Sequence, residues 1–150
     1  MRNGLRGLHW LMRRLIAGLV LVLSVLAGSA CAEEMRIIIA VKDRNLYAVL
    51  EDNPASRALY SQMPFTVSMR NLYQREMSFS LSCKLPINKL SANNYKVGDI
   101  IYLPHRNSVA ILYKQNGDRF RRQNLGHVDA GAEVFASMKD SDITFAPFSE

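Results

Sequence analysis

Cysteine is nearly absent from this chain: Cys31 and Cys83 are the two among 150 residues. Histidine is as scarce, with His9, His105 and His127, and neither His105 nor His127 shows the spacing of a metal-ligand set. The longest apolar run, Leu15 to Leu26, has 12 residues, well short of the roughly 20 that a helix needs to cross a bilayer. No G-x-S-x-G elbow, Walker-type loop, dinucleotide fingerprint or H-E-x-x-H pair occurs, so the hydrolase, nucleotide and zincin classes lack their sequence signatures. No cofactor is expected, and no metal.

What is present begins with an ordered leader. Arg2, Arg6, Arg13 and Arg14 precede the apolar run, and Gly28-Ser29-Ala30-Cys31-Ala32 follows it. Positive region, short apolar region and small-residue site is the order of a secretory signal peptide. Ala30 and Ala32 supply the A-x-A pattern, which places cleavage before Glu33 and makes 1–32 the leader and 33–150 the exported domain. Cleavage after Ala30 is the neighbouring option. Cys31 supports a second reading, a lipoprotein acylated at that residue, although Gly28 stands where a branched aliphatic residue is usual. Arg13-Arg14 lacks the preceding Ser or Thr of twin-arginine export, and Met12 opens a compact leader of its own.

The leader also corrects the charge. The whole chain carries 19 Lys and Arg against 13 Asp and Glu, a net +6. Four of the basic residues and none of the acidic ones lie before Glu33, so the remaining domain is close to neutral at +2. Nucleic acid is therefore not an expected partner, and a membrane is one only through a lipidated Cys31. The basic cluster Arg119-Phe120-Arg121-Arg122 reads as a solvated turn flank. With Cys31 removed or acylated, Cys83 is left alone and no internal disulfide forms. A lone cysteine of this kind reads as a buried apolar residue.

From Glu33 onward the pattern is strand-rich. Ile37 to Val41 and Leu46 to Leu50 are β-branched or alternating runs around a polar break. Asn53 and Pro54 open a short helix as cap and first residue, with Ala55, Ala58 and Leu59 on its apolar stripe. Phe65 to Met69 alternates cleanly, and Phe79 with Leu81 marks another strand. Pro86 to Lys96 is the longest loop. Ile100 to Leu103 follows a turn, and Val109 to Tyr113 reads as a central strand covered on both faces. Asn116-Gly117 is a hairpin signal, leading to Leu125 to Val128. Asp129 is placed to cap a second helix that turns Val134, Phe135 and Met138 inward, and Ile143 to Phe145 closes the chain. The fold class is mainly β: about eight strands and two short helices in one domain, as a closed barrel or two stacked sheets. In a barrel the helices would plug the ends.

Leu50-Glu51-Asp52-Asn53-Pro54-Ala55-Ser56-Arg57-Ala58-Leu59, followed by Met63-Pro64-Phe65-Thr66-Val67-Ser68-Met69, resembles the bacterial cyclophilin-like domain family. That family carries an L-x-D-N-P-x-A/S-R segment, a short helix and an L-P-L-T-L-x-M strand. Val97-Gly98-Asp99-Ile100, the Val109 to Tyr113 strand and Leu125-Gly126-His127-Val128-Asp129 are similar to its later elements, the last to an L-G-R-I-D segment in which His127 stands at the Arg. The likeness runs from Arg36 to Phe148. It implies a closed barrel of cyclophilin-like topology, and the Gly-containing turn it leads one to expect between Asn71 and Ser82 is missing. True cyclophilins, the prolyl isomerases, set an Arg and a Gln beside a proline pocket, in F-H-R and F-M-x-Q-G-G-D segments. Neither segment occurs here.

The candidate site residues follow. Arg75 with Phe79 is the nearest imitation of an Arg-plus-aromatic pair. Arg57 shares a helix face with Ser61 and reads as a surface ion pair or part of a barrel-mouth site. Tyr73, Tyr95, Tyr102 and Tyr113 are aromatics with polar tips suited to a pocket wall. His127 and Asp129 form an H-x-D that a strand would put on one face. The ligand-binding set is thus Arg57, Tyr73, Arg75, Phe79, Tyr102 and His127. The leading expectation is an exported, non-catalytic module for a small molecule or peptide. A prolyl isomerase with altered site residues is the alternative, and a purely structural partner domain the third.

Overall fold

Eight antiparallel strands close on themselves in the computed structural model, which describes residues 33–149. In chain order they are β1 (Met35–Val41), β2 (Arg44–Leu50), β3 (Phe65–Leu72), β4 (Glu76–Ser80), β5 (Asp99–Leu103), β6 (Ser108–Leu112), β7 (Gln123–Val128) and β8 (Ser141–Pro147). Around the wall the order is β1-β2-β7-β5-β6-β4-β3-β8, and β8 returns to β1. Closure satisfies every strand edge, so no edge is left to aggregate. One helix, α1 (Pro54–Tyr60), follows β2, a 3-10 helix (Ala132–Ser137) follows β7, and a single 3-10 turn (Pro104–Arg106) joins β5 to β6.

Alternation along the strands sorts side chains between two clusters. Ile37, Ile39, Leu46, Ala48, Met77, Phe79, Ile111, Ile143 and Phe145 belong to the main core inside the barrel. Phe145 stacks on Phe65 at 5.3 Å between ring centroids and meets Phe79 at 5.7 Å. The intervening residues Ile101, Leu103, Ala110 and Leu112 form a second buried cluster with Tyr95, against which Phe120 packs. This lies outside the wall, under the chain segments that precede β5 and follow β6. All five residues of β6 are buried, as a strand covered on both faces requires. The helices reach the core through the barrel ends: Ala55 and Leu59 of α1, and Ala132 and Phe135 of the 3-10 helix, join the interior cluster.

The start of α1 is a knot of buried hydrogen bonds. Asn53 Oδ1 accepts from Ser56 N at 2.9 Å, and Asn53 Nδ2 donates to Asn124 O at 3.0 Å. Ser56, fully buried, donates its hydroxyl to Leu125 O at 2.8 Å. The cap thus also fastens the helix to β7. Asn53→Ala is expected to cost about 1–2 kcal/mol, the upper range for a lost cap, because the hydrogen bond that fastens the cap to Asn124 O is lost as well. Urea denaturation would show it as a lower midpoint at unchanged slope.

Several expectations are corrected. Asn116-Gly117 joins no hairpin, because both edges of β6 are already taken, by β4 and β5. The chain instead crosses the outer wall and pairs β7 with the far edge of β5. Asp129 caps nothing: the 3-10 helix starts three residues later behind Gly131, and the Asp129 carboxylate faces Arg36 at 3.5 Å. Of the three residues expected to face inward there, Phe135 and Met138 are buried and Val134 is half-buried. Cys83 is exposed; it lies past the end of β4 in irregular chain, where Leu85 takes the buried position. The strand expected around Phe79 and Leu81 starts earlier, at Glu76, and ends at Ser80. Arg122 is no solvated flank residue: it is 1% exposed. Its guanidinium donates to Asn93 O at 2.9 Å and to Asn93 Oδ1 at 3.1 Å, tying the long loop to the wall. Burial pushes its pKa down, against the opposing fields of Asp99 and Tyr95. The expected signal peptide and Cys31 lie outside the described residues.

Candidate functional site on the outer wall

Cross-strand register decides which face Glu76 occupies. Glu76 lies opposite Leu112 and Met77 opposite Ile111. Leu112 belongs to the outer cluster and Ile111 to the inner, so the Glu76 side chain is on the outside of the barrel. It is nevertheless 0% exposed, because two arginines cover it. Arg106 Nη2 donates to Glu76 Oε1 at 2.5 Å and Arg75 Nη2 to Glu76 Oε2 at 3.3 Å. A buried carboxylate demands such partners, since isolated burial of a charge is prohibitive.

The other nitrogens of the two guanidiniums point to exposed groups. Arg75 Nη1 donates to Asp118 Oδ2 at 2.6 Å, and Arg106 Nη1 to the Tyr73 hydroxyl at 3.3 Å. Aromatic rings fix the planes of both. The Arg75 guanidinium lies 5.4 Å from the Tyr73 ring centroid and 4.9 Å from that of Phe120, and Arg106 lies 5.6 Å from Tyr73. Both Nε atoms, of Arg75 and Arg106, are buried without a hydrogen-bond partner.

Tyr73 reaches this position through a demanding backbone. Arg75 N donates to Leu72 O at 3.1 Å, closing a turn whose central residues, Tyr73 and Gln74, have φ of 56° and 49°. Two left-handed residues in succession define the type I′ hairpin turn, a place for Asn and Gly. The absent glycine turn between Asn71 and Ser82 is thus filled by Tyr-Gln, at a cost of order 1–3 kcal/mol per residue. The return is a ring, 64% exposed, set as a ridge between two clefts. One, of about 300 Å³, is lined by Arg75, Leu103, His105, Arg106, Asp118, Arg119 and Phe120 together with Tyr73. The other, about 760 Å³, is lined by Asn71, Gln74, Tyr113, Lys114 and Ala136, again with Tyr73. In the second cleft Tyr113 donates its hydroxyl to Asn71 Oδ1 at 2.5 Å. Burial raises the Tyr113 pKa, the Asn71 hydrogen bond lowers it, and the charge of Glu76 adds to the rise.

Of the residues singled out from sequence, the fold brings Tyr73 and Arg75 together here, with Tyr113 in the adjoining cleft. The rest lie elsewhere. Phe79 is in the barrel core and lines a separate pocket of about 210 Å³ beside Phe65 and Leu81, so it forms no pair with Arg75. Tyr102 is buried in the core and donates to Asn107 Oδ1 at 2.9 Å. Tyr95 is buried in the outer cluster and donates to Lys114 O at 2.9 Å. Arg57 is exposed and paired with Asp52. His127 is exposed, with Nδ1 3.0 Å from Asp99 Oδ1. Sequence reasoning missed Glu76, Arg106, Asp118 and Phe120. The one available signal was Glu76 itself, a carboxylate at the head of a strand that otherwise alternates Met77 and Phe79 with Ser78 and Ser80.

The family model described as the cyclophilin-like family matches residues 39–146. The chain belongs to the cyclophilin-like family. The solved structures it resembles include that of a hypothetical protein from Archaeoglobus fulgidus, at 13% identity and a TM-score of 0.58, covering 75% of this chain and 94% of that one. At that identity the likeness is one of fold. No curated protein matches the chain. In this cyclophilin-like barrel, the segments that carried the resemblance are largely structural. Asn53 and Ser56 anchor α1, and Gly126 sits where β2 and β7 leave no room for a side chain, since an added Cβ would lie 2.3 Å from Val49 O. The outer-wall cleft draws on other residues.

Proposed function

We propose that this cyclophilin-like domain is an exported, non-catalytic module that binds a small molecule or peptide in the outer-wall cleft beside Tyr73. The observation that carries this reading is the pair of guanidiniums oriented by one fully buried carboxylate. A protein gains little stability from such a pair compared with apolar packing. What the pair does supply is two preorganised donors at the floor of a cleft with an aromatic wall, the usual composition of a ligand site. The non-catalytic part is supported by the separation of Phe79, in the barrel core, from Arg75, on the outer wall, which removes the Arg-plus-aromatic pair of a prolyl isomerase. Export is supported by the leader sequence.

A thermal-shift screen with metabolites and short peptides tests the reading, because a ligand of the folded state stabilises by about 2.7 kcal/mol at a hundredfold excess over its Kd. A hit is expected to be lost in Tyr73→Ala, whose exposed ring contributes little to folding. The same protein is expected to leave prolyl tetrapeptide isomerisation at the uncatalysed rate. A flat response across the library, or turnover abolished by Arg75→Ala, would reject the binding-only reading.

A further inference from the structure

We propose that the cleft receives a carboxylate carried beside a flat apolar group, and that Asp118 occupies the carboxylate's place until such a ligand displaces it. This rests on the binding reading above and names its ligand class.

Charge is the first argument. Arg75 and Arg106 bring two positive charges and Glu76 returns one, which leaves the buried part of the cluster one negative charge short. Asp118 supplies that charge, through a single 2.6 Å contact to Arg75 Nη1. A monoanion therefore closes the balance. Arg119 and His105 also line this cleft and keep its rim from turning acidic.

Exchangeability is the second. The inward nitrogens of both arginines meet a carboxylate with no solvent access, which no solute can displace. The outward nitrogens meet groups on exposed residues. The Asp118 side chain is 60% exposed, so water receives it when it leaves. It also retains a partner after leaving, since Asn116 Nδ2 donates to Asp118 Oδ2 at 2.9 Å. The segment that carries it has room to move: a Cβ at Gly117 would meet nothing within 4 Å.

Geometry is the third. Each guanidinium turns Nη2 to Glu76 and Nη1 outward, to Asp118 from Arg75 and to the Tyr73 hydroxyl from Arg106. A carboxylate received by both Nη1 atoms gains a charge-assisted hydrogen bond from each arginine. Tyr73 and Phe120 both pack against the Arg75 guanidinium and line the cleft, so an apolar group beside the carboxylate meets aromatic surface. Behind Tyr73 the larger cleft, about 760 Å³, takes the rest of the molecule.

Both a free aromatic acid and the C-terminus of a peptide carry this chemistry. Calorimetric titration of the full chain separates them, using benzoate against benzamide, and acetyl-Ala-Ala-Phe as acid against its C-terminal amide. The acid of at least one pair is expected to bind and its amide not, and the tighter acid identifies the source. Asp118→Asn keeps the fold, since its side chain is exposed, and is expected to tighten the acid at least roughly fivefold, the upper scale of an exposed ion pair, because Arg75 is buried. Arg106→Gln is expected to abolish binding. Equal binding of acid and amide, or an Asp118→Asn affinity no better than the parent's, would overturn the carboxylate assignment. If the amides bind and Tyr73→Ala removes them, the binding reading stands without it. If no probe and no library compound binds, both fall together.

Discussion

Glu76→Ala is expected to lower stability by about 3–5 kcal/mol, the cost of breaking a buried charge cluster by removing one partner. In a domain of this size that is a melting midpoint lower by roughly 10–20 °C. The loss does not arise because the Glu76 ion pairs are a large source of stability. It arises because Arg75, 9% exposed, would keep its charge with only Asp118 to oppose it, and Arg106 would keep its charge with only the Tyr73 hydroxyl. Glu76→Gln is expected to be nearly as harmful. Its amide offers one acceptor to one guanidinium and turns N–H donors toward the other. The decisive comparison is the triple replacement Arg75→Met, Glu76→Leu, Arg106→Met, which removes the charges together and is expected to recover most of the lost stability while losing ligand. If the triple variant is as unstable as Glu76→Ala, the cluster is a scaffold element and its outward donors are incidental.

This cluster also marks the limit of what the residues disclose on their own. The wall was legible because strand periodicity is local: Ile37 to Val41, Phe65 to Met69 and Val109 to Tyr113 each announce a pleated, buried face within five residues. The helix α1 was legible for the same reason, through Asn53 and Pro54. Glu76, Arg106 and Asp118 are separated by 30 and then 12 positions in the chain, and only the β4–β6 pairing and the crossing segment bring them together. Asn116-Gly117 misled because a turn signal says that the chain reverses and not which strand it rejoins; that depends on which edges are already occupied. Cys83 misled because the tendency of cysteine to be buried is an average, and a segment anchored by Leu85 has no need of a second buried residue. The Tyr73-Gln74 turn was visible only as a missing glycine. In hindsight that absence was informative, since residues that accept left-handed backbone at a cost are often found where a side chain has a task.

Gly126→Ala is expected to be the most damaging single-methyl substitution in the barrel, at or above about 3 kcal/mol, the upper end for overpacking a filled site. The added Cβ would sit 2.3 Å from Val49 O and 2.8 Å from Leu50 Cα, both backbone atoms. A clashing side chain can rotate away, but backbone atoms move only if the strands part. The ladder they belong to has three residue pairs, Ala48–Val128, Val49–His127 and Leu50–Gly126, and backbone hydrogen bonds from Glu51 N to Leu125 O and from Asp129 N to Tyr47 O extend it at either end, so parting the strands strains the whole seam. The shift would spread to α1, which is held by Leu125 O and Asn124 O on the same strand. Two other glycines calibrate the effect. At Gly117 an added methyl meets nothing within 4 Å, but its φ of 85° is left-handed, so Gly117→Ala is expected to cost about 1 kcal/mol from backbone strain alone. At Gly98 the His127 ring, at 2.8 Å, can swing aside, but Val128 O, a backbone atom, stands at 3.0 Å, so Gly98→Ala is expected to cost more than Gly117→Ala and less than Gly126→Ala. Guanidinium denaturation of the three variants is therefore expected to rank Gly126 well below the other two in midpoint. A Gly126→Ala protein as stable as Gly117→Ala would mean that the β2–β7 seam yields easily, and that glycine is not required there by the close approach of the two strands.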